Sequence, residues 1–256
     1  MLPREHGAYG QLAFPLITSF AVAGFSTPAV LVGLSAVAAF LVHEPLLVLL
    51  GRRGARAGRD HHRAAIAALW GAGIVAIGAG FIAAVVMPPP MRWSFLLPLI
   101  PAACLAIAIA LGREKRALGE MAAALTFSFV AVPICLASGA PMSTALSVAG
   151  TFASIFVTAT LAVRVVILRV RGGGDPRGAR ATRVAVVTLA LAIGAALLAA
   201  TARQATPWPT LAAVVPGLIG ALFLALLPPP PTRLRRVGWT LIGTSATAAA
   251  ILIAGL

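Results

Sequence analysis

The chain has 256 residues, of which 60% are hydrophobic and only 10% are charged. A soluble domain carries about a quarter charged residues, so this composition excludes a soluble globular enzyme. The net charge of +14 would suggest nucleic-acid binding in a soluble protein. Here the basic residues lie in short segments between apolar runs, which indicates membrane topology and excludes a nucleic-acid partner.

Nine apolar runs are separated by polar or proline-rich breaks, and a spanning helix needs about 20 residues. The sequence therefore predicts an all-α polytopic membrane protein, with residues 1–256 forming a single transmembrane domain. The predicted helices cover residues 9–25, 29–50, 64–87, 94–111, 121–138, 144–168, 184–201, 208–227 and 238–256.

Prolines within these segments predict kinks, at Pro15, Pro45, Pro98, Pro101, Pro133 and Pro216. Cys104 and Cys135 each lie inside an apolar run, so neither a disulfide nor a metal motif is predicted. The opening MLPREHGAYGQLAFP lacks a small-residue cleavage site, so we expect the first helix to be retained.

The charged residues lie mainly on one side of the predicted membrane domain. Most Arg and Lys residues lie in the breaks after helices 2, 4, 6 and 8, whereas the alternate breaks hold only Arg92 and Arg203. The acidic residues Glu5, Glu44, Asp60, Glu114, Glu120 and Asp175 all lie on the arginine-rich side. The positive-inside rule then predicts a multi-pass protein of the cell inner (plasma) membrane, with a cytosolic N-terminus and an external C-terminus.

Glu44 is predicted to lie about 9 Å inside the cytosolic end of helix 2, next to His43. A carboxylate at that depth is costly unless it is paired, and Arg164, one turn inside helix 6, is the expected partner. Two interpretations stay open. Glu44 is either half of a structural ion pair or a group that lines a pocket, where Glu44 and His43 would be the candidate catalytic residues.

Two further groups contain histidine. For His6, in the segment Arg4-Glu5-His6 before helix 1, three roles stay open: an interfacial cap of that helix, binding of an anion, and pairing with Glu44. The loop triplet Asp60-His61-His62 is not expected to bind metal, because adjacent histidines project differently and the surrounding charge is basic.

Basic residues at the predicted cytosolic side could together surround a cavity. Guanidinium groups bind phosphate through charge-assisted, bidentate hydrogen bonds, and apolar helices behind them would accommodate a lipid tail. An anionic amphiphile is therefore the predicted ligand class, although topology alone also supplies arginines. The predicted substrate-binding residues are Arg4, His6, Arg52, Lys115, Arg116, Arg164 and Arg171.

The N-terminal string PREHGAYGQLAFP resembles the opening signature of the YwiC-like family of bacterial membrane proteins, which implies no known activity. More distantly, the helix plan resembles the UbiA-type prenyltransferase superfamily. That resemblance implies a nine-helix bundle whose active site opens to the cytosol near helices 2 and 6. It also places Lys115 and Arg116 at a Lys-Arg element of those enzymes, and Arg4 and Pro15 at positions where they often have an Arg and a Pro.

The chain departs from that superfamily at the metal motifs. UbiA-type enzymes hold Mg²⁺ on a prenyl diphosphate with two Asp-rich motifs. At the first motif this chain has His43-Glu44, followed by Val48 and Arg52. At the second it has Arg164, Arg169 and Arg171, with Asp175 further on. No cofactor is therefore predicted, and Mg²⁺-dependent prenyl transfer is in doubt.

Three functions remain open from the sequence. The first is binding or processing of an isoprenoid or other anionic amphiphile in a cytosol-facing basic pocket, including divergent prenyl transfer without the Asp-rich motifs. In that hypothesis Arg164, Arg171, Lys115 and Arg116 hold the phosphates. The second is a permease or exporter, and the third is a non-catalytic membrane assembly or accessory protein.

Overall fold

A computed structural model describes residues 6–170, 176–230 and 234–256, and throughout that part the regular elements are helical. The helices are α1 (His6–Ala23), α2 (Thr27–Leu49), α3 (Ala55–Val86), α4 (Leu96–Ala110), α5 (Ala117–Phe129), α6 (Ala131–Ala137), α7 (Met142–Val170), α8 (Pro176–Ala202), α9 (Trp208–Leu226) and α10 (Leu234–Gly255). A 3-10 segment, Pro89–Phe95, leads into α4.

The described helices confirm an all-α, multi-pass membrane protein. Eight segments are long and apolar enough to span a bilayer, and the shorter apolar helix Gly7–Ala23 precedes them. Together they correspond in order to the nine segments predicted from hydropathy, with α5 and α6 forming one span.

Helix α3 begins nine residues before its predicted start at Ala64. Its 32 residues are about 48 Å long, whereas the hydrocarbon core of a bilayer is about 30 Å thick. The segment RAGRDHHR, expected to be loop, is thus helical. The apolar run of the sequence stops where the helix leaves the hydrocarbon layer. The helix itself continues beyond that point, because Ala and Arg are both strong helix formers.

The predicted helix 121–138 is interrupted. Helix α5 ends at Phe129 and α6 begins at Ala131, with a turn at Val130 between them. Pro133 explains the interruption, because it has no N–H to donate to the carbonyl of Phe129 and its ring crowds the same carbonyl. Five of the predicted proline positions remain within helices without a comparable break.

The core of the bundle lies around α7. Phe152 is fully buried among side chains of α5, α6, α9 and α10. Close helix approach depends on small residues, since a Cβ at Gly217 of α9 would lie 2.6 Å from Cγ1 of Ile155. In contrast, α3 packs mainly on α2, and α4 on α5.

The two ends of the bundle differ in charge. We call the basic end the one that holds the turns at residues 50–54 and 111–116 and the first turns of α3, α8 and α10. At the opposite end the α1–α2 turn is bound to the α6–α7 turn. The hydroxyl of Ser26 donates to the carbonyl of Ala137 (2.8 Å), and that of Ser138 donates to the carbonyl of Gly24 (3.0 Å).

Candidate functional site: a cavity with a charged end

A cavity of about 990 Å³ lies inside the bundle. Its wall is mostly apolar and comes mainly from α1, α2, α3, α4, α5, α7 and α10, with Arg92 and Phe95 of the 3-10 segment and Pro133 of α6. Phe14, Phe40, Phe127 and Phe156 lie on it, and two edge-to-face ring contacts brace it. Tyr9 contacts Phe40 with centroids 5.1 Å apart, and Phe40 contacts Phe127 at 5.7 Å.

Charged groups collect where the cavity reaches the basic end. Three carboxylates and three cations line it there, while His43 lies half-buried on the same wall. The carboxylates are Glu44, Glu114 and Glu120, and the cations are Arg53, Lys115 and Arg164. Among the described lining residues, these opposite charges balance at this end, so it is polar without being strongly basic.

Glu44 is 5% exposed and is bound by Arg53, whose Nη2 donates to Oε2 at 2.5 Å. The expected pairing of Glu44 with Arg164 is therefore wrong. The reason is the turn after α2, where Gly51 (φ 70°) and Gly54 (φ 89°) adopt backbone conformations that other residues rarely reach. This turn brings Arg53 back beside the last turns of its own helix.

Arg164 instead approaches Glu120 of α5, with Nη1 3.6 Å from Oε2. The two side chains are 28% and 38% exposed, respectively. The same Nη1 donates a long hydrogen bond (3.4 Å) to the backbone carbonyl of Lys115. Arg164 thus joins α7 to the start of α5 through contacts that are long and open to solvent.

Glu114 brings a third carboxylate to the charged end. Its Oε2 is buried and has no hydrogen-bond partner, although the residue as a whole is half-buried. The backbone of Glu114 passes directly over Gly119, where a Cβ would lie 2.5 Å from the Glu114 carbonyl oxygen. A glycine at 119 is therefore required for this turn to fold against α5.

The other predicted binding residues are placed differently. Arg52 is exposed, and its guanidinium group lies across Gly112. A Cβ at position 112 would be 2.5 Å from Nη1 of Arg52, so this side chain connects the turn at residues 50–54 with the turn at residues 111–116. Arg116 is exposed at the start of α5. Neither residue lines the cavity, whereas Lys115 and Arg164 do. Arg4, Arg171 and the side chain of His6 lie outside the described part of the chain.

The carboxylates do not form the metal clamp that a UbiA-type site implies. Among the described residues, His, Cys, Asp and Glu side chains form no group of three or more that could hold an ion. Glu44 is bound to Arg53, and Glu120 lies against Arg164. A diphosphate-bound Mg²⁺ pair needs several free hard oxygen ligands, and this donor set does not supply them.

Sequence reasoning missed Glu114 and Glu120 as site residues and placed Arg53 only among the basic residues that could surround the cavity. A usable signal was present in GREKRALGE, where Glu114 and Glu120 flank Lys115 and Arg116. Acidic residues are scarce in this chain, so two of them within seven residues, beside two cations, indicate a site where charges compensate each other.

Residues 2–135 match the model of the YwiC-like protein family. This covers just over half of the 256 residues. The chain belongs to the YwiC-like family. The matched region carries Glu44, Arg53, Glu114, Lys115 and Glu120, while Arg164 lies beyond it. No curated protein and no solved structure matches the chain, so the UbiA-type relationship remains a resemblance of helix plan.

Proposed function

We propose that this YwiC-like protein binds an isoprenoid or other anionic amphiphile, with the tail in the cavity and the head group at the charged end. The supporting observation is the cavity wall, which is apolar along most of its length and, apart from Arg92 at the opposite end, carries its charged residues at the basic end. Its volume of about 990 Å³ is at the upper limit of ordinary ligand pockets, about 300–1,000 Å³.

The head-group contact is assigned to Lys115 and Arg164. Lys115 is exposed, and the contacts of Arg164 with the Glu120 carboxylate (3.6 Å) and the Lys115 carbonyl (3.4 Å) are both long. An exposed ion pair of that kind contributes about 0–1 kcal/mol. A phosphate oxygen can replace the Glu120 carboxylate at Arg164 at small cost. Arg53 is different, because displacing Glu44 would leave a buried carboxylate unpaired.

The proposal concerns binding, and no reaction is assigned to the site. Glu44 lies within a short ion pair, which favours its structural interpretation, and the described carboxylates do not fit a metal-dependent transfer.

Binding is tested by titrating detergent-purified protein with a long-chain prenyl diphosphate, with the uncharged prenol and with inorganic diphosphate. Each charge-assisted hydrogen bond contributes about 1.5–3 kcal/mol, so the double variant Lys115→Gln/Arg164→Gln should bind the prenyl diphosphate at least about 100-fold more weakly. The matched control is Arg52→Gln/Arg116→Gln, which removes two cations outside the cavity and should change affinity less than about threefold.

EDTA separates an arginine-based site from a metal-based one. Affinity that is unchanged in EDTA supports binding through Lys115 and Arg164, whereas affinity lost in EDTA contradicts it. A prenyl diphosphate that fails to bind in either condition would remove the proposed function. Flux of the same compound across proteoliposomes would indicate a permease instead.

We also propose that the basic end faces the cytosol of the inner membrane, since arginines are retained on that side. In a Cys104→Ala/Cys135→Ala background, single cysteines at Ser143, at the opposite end, and at Arg59, at the basic end, report orientation. A membrane-impermeant maleimide should label Ser143→Cys in intact cells and Arg59→Cys only after permeabilisation. The reverse pattern would invert the topology.

A further inference from the structure

The cavity wall is incomplete on one side. Helices α3 and α4 both line the cavity, yet α3 packs along α2 and α4 along α5, with no extended contact between α3 and α4. The backbone of both helices is described throughout. Most other sides are closed by packed helix pairs, such as α1 with α10 and α5 with α7, whereas α1 and α2, like α3 and α4, have no extended contact.

Residues at this gap belong to the cavity and to the outer surface together. Ile77 and Phe81 of α3 and Leu99 of α4 line the cavity, although they are 76%, 69% and 57% exposed. Exposure above half for side chains that also line the cavity, on two helices that do not pack along each other, indicates that the cavity opens outward between α3 and α4. The opening is apolar, so it faces lipid tails rather than water.

The gap lies at the depth of the lipid tails. The opposite-end tips of α3 and α4 are joined through Pro88 and the 3-10 segment, where Arg92 donates to the carbonyls of Val85 and Met87 at 2.9 and 3.0 Å. Counting from that junction, Leu99 of α4 lies about 5 Å inside, Phe81 of α3 about 8 Å and Ile77 about 14 Å. These depths lie within one half of a hydrocarbon core about 30 Å thick, so the gap opens among the lipid tails.

The opposite wall contrasts with this gap. Helices α1 and α2 also lie next to each other beside the cavity. There Tyr9 of α1 contacts Phe40 of α2. The ring of Phe20 covers Gly33, where a Cβ would lie 3.0 Å from that ring. Leu12 and Leu16 pack with Val32 in the same buried cluster. Side chains therefore fill the space between α1 and α2.

We propose that the gap between α3 and α4 is a lateral portal through which a lipid tail enters the cavity directly from the bilayer. The ligand class is then a membrane-resident amphiphile, whose head slides along the basic end while its tail stays in an apolar environment throughout. The portal rests on the proposed function for the identity of the head group, but tail entry can be tested without it.

The test uses proteoliposomes that contain a phosphatidylcholine with a diazirine near the end of one acyl chain. Ala123 of α5 and Phe156 of α7 lie on the cavity wall and are not on the exposed surface. Illumination should attach lipid to peptides that contain them. Leu191 of α8, which is 60% exposed, supplies the reference for ordinary surface labelling.

The portal is then closed reversibly. In a Cys104→Ala/Cys135→Ala background, Phe81→Cys/Leu99→Cys is bridged with bis-thiosulfonate reagents of increasing length. Cavity labelling should fall at least tenfold relative to Leu191 and return after reduction, which also shows that the bridged protein is folded. The matched control is Gly194→Cys/Leu218→Cys, a contact between α8 and α9 away from the cavity, and bridging it should leave labelling unchanged.

Two outcomes would overturn the portal: cavity labelling that persists after bridging, and cavity peptides that are unlabelled before bridging. Failure of the proposed function has a different pattern, in which bilayer lipid labels the cavity through the gap but the prenyl diphosphate does not bind. Conversely, a diphosphate that binds while labelling never reaches the cavity would indicate entry from water.

Discussion

Two ion pairs lie at the charged end of the cavity, and they differ in almost every physical respect. The Glu44–Arg53 pair is short, with a 2.5 Å contact, and its side chains are 6% and 19% exposed. The Glu120–Arg164 pair is 3.6 Å long, and its side chains are 38% and 28% exposed. The first pair lies within one helix and its own turn, whereas the second joins α5 to α7.

The difference shows that a carboxylate–guanidinium pair can stabilise the fold at one position and contribute little to stability at another. A buried charge that loses its partner is left in a poorly solvated position, which typically costs about 3–5 kcal/mol. An exposed pair is solvated whether or not it forms. The Glu44–Arg53 pair therefore holds the turn in place, whereas the Glu120–Arg164 pair can open at little cost in free energy.

The largest expected effect is on stability. Replacing Arg53 by Gln should lower the free energy of unfolding by about 3–5 kcal/mol, because the Glu44 carboxylate stays buried without its partner. Replacing Arg164 by Gln should cost about 1 kcal/mol or less. Both are measured by denaturant-induced unfolding in detergent.

The control for this comparison is the double variant Glu44→Gln/Arg53→Gln, which removes both charges and should recover most of the lost stability. Arg52→Gln, one residue away and exposed, should be close to wild type. Equal destabilisation by Arg53→Gln and Arg164→Gln would abolish the distinction between the two pairs.

A smaller effect is expected on ligand affinity. Glu120→Gln removes the carboxylate that competes for Arg164, so the prenyl diphosphate should bind about threefold to tenfold more tightly, which corresponds to about 0.7–1.4 kcal/mol. Isothermal titration in detergent measures this change. Glu44→Gln, the matched removal of a carboxylate from the other pair, should leave affinity within about twofold. Weaker binding by Glu120→Gln would show that Glu120 positions Arg164 rather than competing for it.

The spans were predictable from the sequence because bilayer insertion depends on local properties, namely the length of an apolar run and its flanking charges. The break at Pro133 was only half predictable. A proline predicts a kink, but α5 and α6 separate there while Pro15 and Pro45 remain inside continuous helices. Tertiary packing decides between these outcomes.

The partner of Glu44 could not be predicted in the same way. Helix periodicity identifies residues that share a face of one helix, so a search for a cation at matching depth favoured Arg164. The actual partner depends on the glycine turn at Gly51 and Gly54, which reverses the chain within a few residues. Likewise, no pattern in the sequence shows that α3 and α4 stand apart, because that depends on which neighbours each helix packs against.

The length of α3 has a consequence for the depth of the gap beside it. Its first turns carry Arg56, Arg59 and Arg63, with spacings of three and four residues that place them on one side of the helix. Arginine side chains remain at the level of the lipid head groups. These three therefore fix the position of α3 along the membrane normal from the basic end. Because α3 packs mainly on α2, this anchoring and the thickness of the surrounding bilayer together set the height at which Ile77 and Phe81 meet the tails.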